Sequence, residues 1–322
     1  MDRGSFNLAS PPRIIGANSI NYRDERPEVS VTSSYVRSLY LTERDRAILR
    51  FLSEIGYATT GQLKRLFWQD RSLQVVSKRL LSLWEKWVLD RQPFYRAGDY
   101  GVPRQLVYML GRAGVRILQD LDENVTQRDG TLLMPHNVLL CEALVKLVDK
   151  ARQLGEGHNV NFYGEAAART AFKWEGNWVK MRPDGLVYLE ADGKEIPFYV
   201  EFDRNTSPIS HMIGKVKQYS LYRRSDNWKM DHRVFPAILL IVWSKYEVDG
   251  LSEEEAADRR RTRAQRRLDA LIEYLQEAIK RTNLRWFCQR LDLVGLEPWR
   301  VVTRNGMKRS PPFFTHQNRE GR

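Results

Sequence analysis

A chain of 322 residues with 42% hydrophobic content has room for two modest domains, each with its own core, and is too apolar to be disordered. No apolar run approaches the roughly 18–20 residues that span a bilayer, and the opening MDRGSFNLASPPR has no apolar stretch behind its charge, so a membrane partner and a signal peptide are not expected and the cytoplasm is. The formal net charge of +12, carried largely by arginine, favours a polyanionic partner, and the arginine fork suits phosphate and guanine. Cys141 and Cys288 both sit in apolar stretches and read as core residues of a protein kept reduced.

Residues 1–36, rich in Ser, Pro, Asn and Arg, predict a flexible arm with a short strand at VSVTSSYV. Residues 37–122 predict a winged helix-turn-helix. Thr42 is an N-cap, with Asp45 where a capping box prefers Glu or Gln, and the stripe Ile48, Leu49, Phe51, Leu52 and Ile55 runs to the stop at Gly56. A second short helix follows Thr59–Thr60 with Leu63, Leu66 and Phe67 facing inward. A third spans about 72–87, burying Leu73, Val76, Leu80, Leu83, Trp84 and Trp87. Two strands, one at Val88–Leu89 and one at Gln105–Leu110, enclose a polar Gly-containing loop and form the wing; a helix over 111–121 closes the unit. The polar stretch 122–131 is the expected linker.

Residues 132–303 predict an α/β domain, so the chain as a whole reads as α+β or α/β. A helix over 132–154 stops at Gly155, and strands at 160–165, 178–180, 184–190 and 196–202 follow as a meander. A helix over 209–223, the buried strand 237–242, a charged helix over 252–282 and short edge strands at 285–288 and 299–303 complete it. The basic tail 304–322 is expected to be flexible.

A third helix followed by a wing has a physical use: the helix enters the major groove and the wing reaches the neighbouring backbone. Away from its apolar stripe that helix offers Arg71, Gln74, Ser77, Lys78, Ser82 and Arg79, where Gln pairs with adenine edges and Arg or Lys with guanine or phosphate. Arg91, Arg96 and Arg104 in the wing are candidates for phosphate contacts. Double-stranded DNA is the expected partner. The competing reading is an ordinary solvated face, or a winged helix used to bind protein.

The second domain carries an acid cluster. Met181-Arg182-Pro183-Asp184-Gly185 precedes one strand and Val200-Glu201-Phe202-Asp203-Arg204 ends the next. Strand side chains alternate, so Glu201 and Asp203 share a face, and a hairpin pairing brings Asp184 beside them. Mg²⁺ or Mn²⁺ is the usual neutraliser of such carboxylates and can activate water against a phosphodiester. The bland reading is a turn at Asp184–Gly185 and a surface ion pair at Asp203–Arg204, worth under about 1 kcal/mol. Glu201, flanked by apolar residues, resists that reading, because a buried carboxylate needs partners.

The pattern α-β-β-β-α-β with Pro-Asp and then Glu-x-x resembles the PD-(D/E)xK nuclease fold, a restriction-endonuclease-like architecture. That resemblance implies metal binding by Asp184 and Glu201, with Glu142 on the preceding helix as an additional acid. It also implies a lysine two residues after Glu201, where this chain has Asp203; Lys215 or Lys217 on the following helix is the substitute it suggests. The wider arrangement of a leading winged helix, Pro135-His136-Asn137 opening a helix with Glu142, Arg-Pro-Asp-Gly, Glu-Phe-Asp-Arg, Lys217 and Tyr219 resembles the replication-relaxation family over about 40–243. Membership would imply replication or mobilisation of plasmids or other mobile elements, with other replication or mobilisation proteins as further partners. An active metal-dependent endonuclease, and a transcriptional regulator whose second domain binds protein or dimerises, are the alternatives.

His136 could approach the acids, though a histidine at a helix start is more often a cap or packing residue. Arg259, Arg260, Arg261, Arg263, Arg266 and Arg267 read as a solvated helix face or a second DNA-backbone track. No Gly-x-x-x-x-Gly-Lys-Ser/Thr run is present, so a P-loop hydrolase is unsupported.

Overall fold

The computed structural model describes residues 26, 28–94, 105–121, 125, 134–191, 193–244, 252–296 and 299–310. The architecture is α+β. Helix α1 (Ser33–Ser38) stands where the arm and its short strand were expected, because the Thr32 hydroxyl caps it by accepting from the Tyr35 N–H at 3.1 Å. Arg26 is anchored too: its guanidinium donates to the carbonyls of Trp84 and Leu89 and lies 3.3 Å from the Trp87 ring centroid. The rest of the arm lies outside the described residues.

Helix α2 (Glu43–Ile55) begins in a capping box in which Asp45 takes the place of Glu, and ends at Gly56, whose φ of 84° a side-chain-bearing residue rarely adopts. Strand β1 (Ala58–Thr59), α3 (Thr60–Phe67) and α4 (Leu73–Glu85) follow. Strand β2 (Leu89–Phe94) pairs with β3 (Gln105–Leu110), and β1 joins on the other side of β3 in a three-stranded antiparallel sheet. Helix α5 (Arg112–Gln119) closes this unit. The loop 95–104, with Arg96 and Arg104, lies outside the described residues, as does the linker apart from Val125.

Helix α6 (Met134–Leu154) leads into a seven-stranded sheet. Its strands are β4 (His158–Gly164), β7 (Gly185–Ala191), β8 (Lys194–Asp203), β9 (Ala237–Val242), β10 (Trp286–Arg290), β11 (Trp299–Thr303) and β12 (Gly306–Ser310), in the order β12-β11-β10-β9-β8-β7-β4. Between β4 and β7 come the short α7 (Glu165–Ala168) and a separate hairpin of β5 (Thr170–Trp174) and β6 (Asn177–Met181), so β4 pairs with β7 directly and the four-strand meander is interrupted. Helices α8 (His211–Ser225) and α9 (Trp228–Asp231) lie between β8 and β9, and α10 (Glu253–Ala278) lies between β9 and β10.

Strands β8, β9 and β10 run parallel, which places the helical connections on the sheet faces. The residues expected as edge strands are therefore internal: β10 pairs with β9 and β11, and β11 pairs with β12, which occupies part of the expected tail. Residues 311–322 lie outside the described ones. Alternation along the strands divides the core. Val187, Val200, Phe202 and Leu239 pack with α6 and the N-terminal helices in one cluster, while Tyr199, Ile238, Leu240 and Val242 pack with α8 and α10 in another.

The N-terminal unit is not a separate globule. Its core and the α6 face of the sheet form one continuous cluster. Arg65 of α3 reaches Glu142 at 2.7 Å and Asp149 at 2.5 Å on α6, and Gln62 donates to the Val138 carbonyl at 2.9 Å. At Gly164 the backbone comes so close to Glu54 that an added Cβ would lie 2.1 Å from its carbonyl oxygen.

Candidate functional site

Two surfaces carry the residues singled out by the sequence. The first is a pocket of about 320 Å³ at the carboxyl end of β8, where Asp184, Glu201, His136 and Lys215 converge. Glu201 points to the α8 face because it follows Tyr199 by two positions on the strand. It is 3% exposed, so its carboxylate requires partners, and α8 supplies them. Tyr219 donates its hydroxyl to Oε1 at 2.6 Å, and Lys215 donates from Nζ to Oε2 at 2.7 Å and to the Arg182 carbonyl at 3.0 Å. Residues 215 and 219 are four apart and share a helix face, whereas Lys217 is turned away into solvent.

Asp184 ends the turn before β7. Its Oδ2 accepts from the Phe202 N–H at 2.7 Å, and Oδ1 lies 3.4 Å from His136 Nε2 at the start of α6. His136 also packs edge-on against Phe202, 5.5 Å between centroids. The two carboxyls have opposite electrostatics. Burial pushes Glu201 up to about 7 even with Lys215 beside it, and the Asp184 charge pushes the same way. Burial also works to raise Asp184, but His136, Lys215 and the Phe202 N–H outweigh it and hold the carboxyl below its ordinary value. Lys215 is held above its ordinary value: burial opposes the charge, and Glu201 and Asp184 more than offset it.

Three expected members do not join that cluster of contacts. Asp203 lines the pocket, yet both its oxygens meet Arg267 of α10, at 2.8 and 3.3 Å, and Oδ1 also accepts from the Asn205 N–H. That ion pair ties α10 to the end of β8 and removes Arg267 from any exposed arginine track. Glu142 faces α3 and is held by Arg65 and Gln62, away from the pocket, because six residues of helix separate its face from that of His136. Lys217 is the third. Among the described residues no three His, Cys, Asp or Glu side chains gather closely enough to hold a metal ion.

The sequence reading missed Arg204 and Glu165, which also line the pocket. Arg204 Nε is buried without a hydrogen-bond partner among the described residues. An arginine that follows an acid at a strand end carries no local sign that its Nε lacks a partner.

The second surface is the start of α4. Arg71, Gln74 and Lys78 are exposed, Ser77 is half-buried, and Ser82 is half-buried further along the helix. Leu73 and Val75, at 54% and 49% exposure, stand with them, so Leu73 does not join the buried side as expected. The helix meets the core only from Val76 onward, which leaves its first turn projecting. Arg79 is withdrawn from that surface: it forms a two-pronged ion pair with Asp45, whose side chain is 1% exposed. Arg91 lies 3.9 Å from the Trp84 ring centroid at the base of the β2–β3 hairpin.

A model of the replication-relaxation family matches residues 49–238, more than half of the chain. The chain belongs to the replication-relaxation family. The replication-relaxation segment takes in α3, α4, the β2–β3 hairpin, α6, both pocket carboxyls, Lys215 and Tyr219, so the two surfaces fall within one matched region. Membership supports a role connected with replication or mobilisation. No curated protein and no solved structure matches the chain. Among its described residues, no helix of this replication-relaxation protein is long and apolar enough to cross a membrane.

Proposed function

We propose that this replication-relaxation protein binds double-stranded DNA through a winged helix-turn-helix at 37–122 and acts in the replication or mobilisation of a plasmid or other mobile element. The observation that carries the reading is the projecting first turn of α4, where Arg71, Gln74 and Lys78 stand exposed beside Leu73 and Val75. Recognition helices read base edges with their N-terminal residues, and exposed aliphatic side chains suit thymine methyl groups. The net charge of +12 supports a polyanionic partner.

The carboxylate pocket favours a second reading, a metal-dependent endonuclease. The order α6, β4, β7, β8, α8, β9 supports a PD-(D/E)xK-like core, with β5 and β6 as an insertion. Asp184 and Glu201 are hard oxygen donors of the kind that hold Mg²⁺ or Mn²⁺ with water and phosphate filling the remaining positions. They fit such an ion as a two-carboxylate set, without Glu142. Bound there, the ion would supply an acidified water and a polarised phosphodiester. Of the chain's own groups, His136 orients Asp184, Tyr219 fixes Glu201, and Lys215 brings positive charge to where a phosphate would lie.

Supercoiled plasmid incubated with wild-type, Asp184→Ala and Glu201→Ala proteins, with Mg²⁺, Mn²⁺ or chelator, tests both readings. Retarded but intact plasmid, equal for all three proteins, is the expected result for DNA binding alone. Nicked product that requires metal and disappears in both variants establishes the endonuclease. Plasmid that is neither retarded nor cut refutes both.

A further inference from the structure

The parallel strands β8, β9 and β10 carry the carboxylates at one end of the sheet and leave a cleft of about 1200 Å³ at the other. Five basic side chains line it: Arg223 from α8, Arg285 just before β10, and Arg304, Lys308 and Arg309 from the end of β11 and from β12. Glu195 is the sole acid among the lining residues. Arg285, Lys308 and Arg309 are exposed and make no ion pair among the described residues. Burial, with a smaller push from the neighbouring Arg285, holds Arg223 below its ordinary value.

Aromatic side chains are set among these cations. Trp228, Phe235 and Phe287 are half-buried in the cleft, with Trp228 edge-on to Phe235 at 5.5 Å and its indole N–H fixed on the Arg223 carbonyl at 3.1 Å. Arg223 lies 4.9 Å from the Phe235 ring centroid. Val234 is 59% exposed beside them, so the cleft is apolar as well as basic.

We infer that this cleft binds single-stranded nucleic acid, at a site separate from the duplex-binding face of α4. Cations at the rim and rings within match a strand whose phosphates are neutralised while its bases turn against apolar surfaces. A duplex keeps its bases stacked inside and could offer the recessed rings nothing. The assignment does not depend on duplex binding by α4, and the two can fail independently.

The test is fluorescence anisotropy with labelled oligo-dU and oligo-rU of about 15 nucleotides, within the span one such site covers, beside a labelled duplex. The variants are the triple Arg285→Ala/Lys308→Ala/Arg309→Ala, and Trp228→Ala with Trp228→Phe as its conservative counterpart. Thermal melting checks that each is folded. The triple variant should lose about tenfold or more in strand affinity, and its log–log salt slope should fall by about 2, for three phosphates no longer neutralised. Its duplex affinity should stay unchanged. Trp228→Ala should weaken strand binding about tenfold with the slope kept, since stacking carries no charge, and Trp228→Phe should recover most of it. Whichever of the two strands binds more tightly names the preferred sugar, and either order supports the site. Undetectable strand binding at low salt, or equal binding by the triple variant, would overturn it. So would a strand displaced by duplex and lost on mutating α4, or polyglutamate bound as tightly as the strand, which would make the cleft a dock for acidic protein.

Discussion

Glu201 spends its charge among Lys215, Tyr219 and Asp184, and its proton affinity follows from that setting. Raised to about 7 from an ordinary 4.5, it binds a proton in the folded chain that the unfolded chain has released. Its contribution to stability is therefore present below about pH 4.5 and is lost as pH rises through about 7, on the order of 3 kcal/mol in total. Asp184 works in the opposite sense, but its lowered value places its titration below that window. Wild-type protein should lose stability relative to Glu201→Gln as pH rises from 4 to 8, read from paired melting curves; a constant difference would contradict the assignment. Arg79 gives a second case. Removing it leaves Asp45 buried and without its ion partner, so Arg79→Ala should cost about 3 kcal/mol in urea unfolding. The sequence placed Arg79 with the DNA-facing polar residues because nothing local marks an ion pair formed across 34 positions. Which lysine meets Glu201 is legible only to within two candidates, and Lys215 is the one that does so, four residues before Tyr219.

At the scale of elements, α4 divides at Val76. Beyond that point its apolar residues are buried, while before it Leu73 and Val75 face solvent. Leu73→Ala and Val75→Ala should leave the melting temperature within about 1 °C, since surface substitutions fall within about 0.5 kcal/mol. If the first turn reads thymine, an A·T duplex with uracil in place of thymine should bind wild-type protein about fourfold more weakly per methyl contacted, and the Leu73→Ala protein less so. Equal binding of the two duplexes by wild-type protein would remove the apolar part of the reading. Helices α2 to α6, α8 and α10 and the β2–β3 hairpin are legible because caps and periodicity agree, as at Thr42 and Thr59, whereas α1, α7 and α9 are not. What was missed has physical reasons. The β5–β6 hairpin lies outside the main sheet, and its only strong signal is the turn at Glu175–Gly176, where both φ angles are positive. The sequence of β10 reads as an edge strand because position in a sheet depends on pairing: its parallel partnership with β9 is reached through the long crossover helix α10.

The molecule as a whole departs from two independent domains. Composition alone suggests a boundary at 122–131, but it does not show the burial that joins the two sides, because Arg65, Gln62 and Glu54 find their partners only once α6 and β4 are in place. Gly164 is where the two parts touch most closely. Gly164→Ala should push α2 from the sheet and cost about 1–3 kcal/mol, seen as a lower urea midpoint; an unchanged midpoint would mean the two parts are only loosely joined. The consequence for function is a fixed geometry. The first turn of α4, the carboxylate pocket and the basic cleft sit on one framework, so duplex held at α4 has a set relation to both other sites.

That arrangement matters only if α4 holds duplex DNA, and salt dependence tests it most directly. Duplex affinity should be measured from about 50 to 200 mM salt for wild-type protein and for Arg71→Ala/Lys78→Ala, both at exposed positions. The account predicts weaker binding by the double variant, a log–log slope smaller in magnitude by about 0.9 for each of the two side chains that neutralises a phosphate, and an unchanged melting temperature. Duplex affinity and slope identical in the two proteins would contradict it.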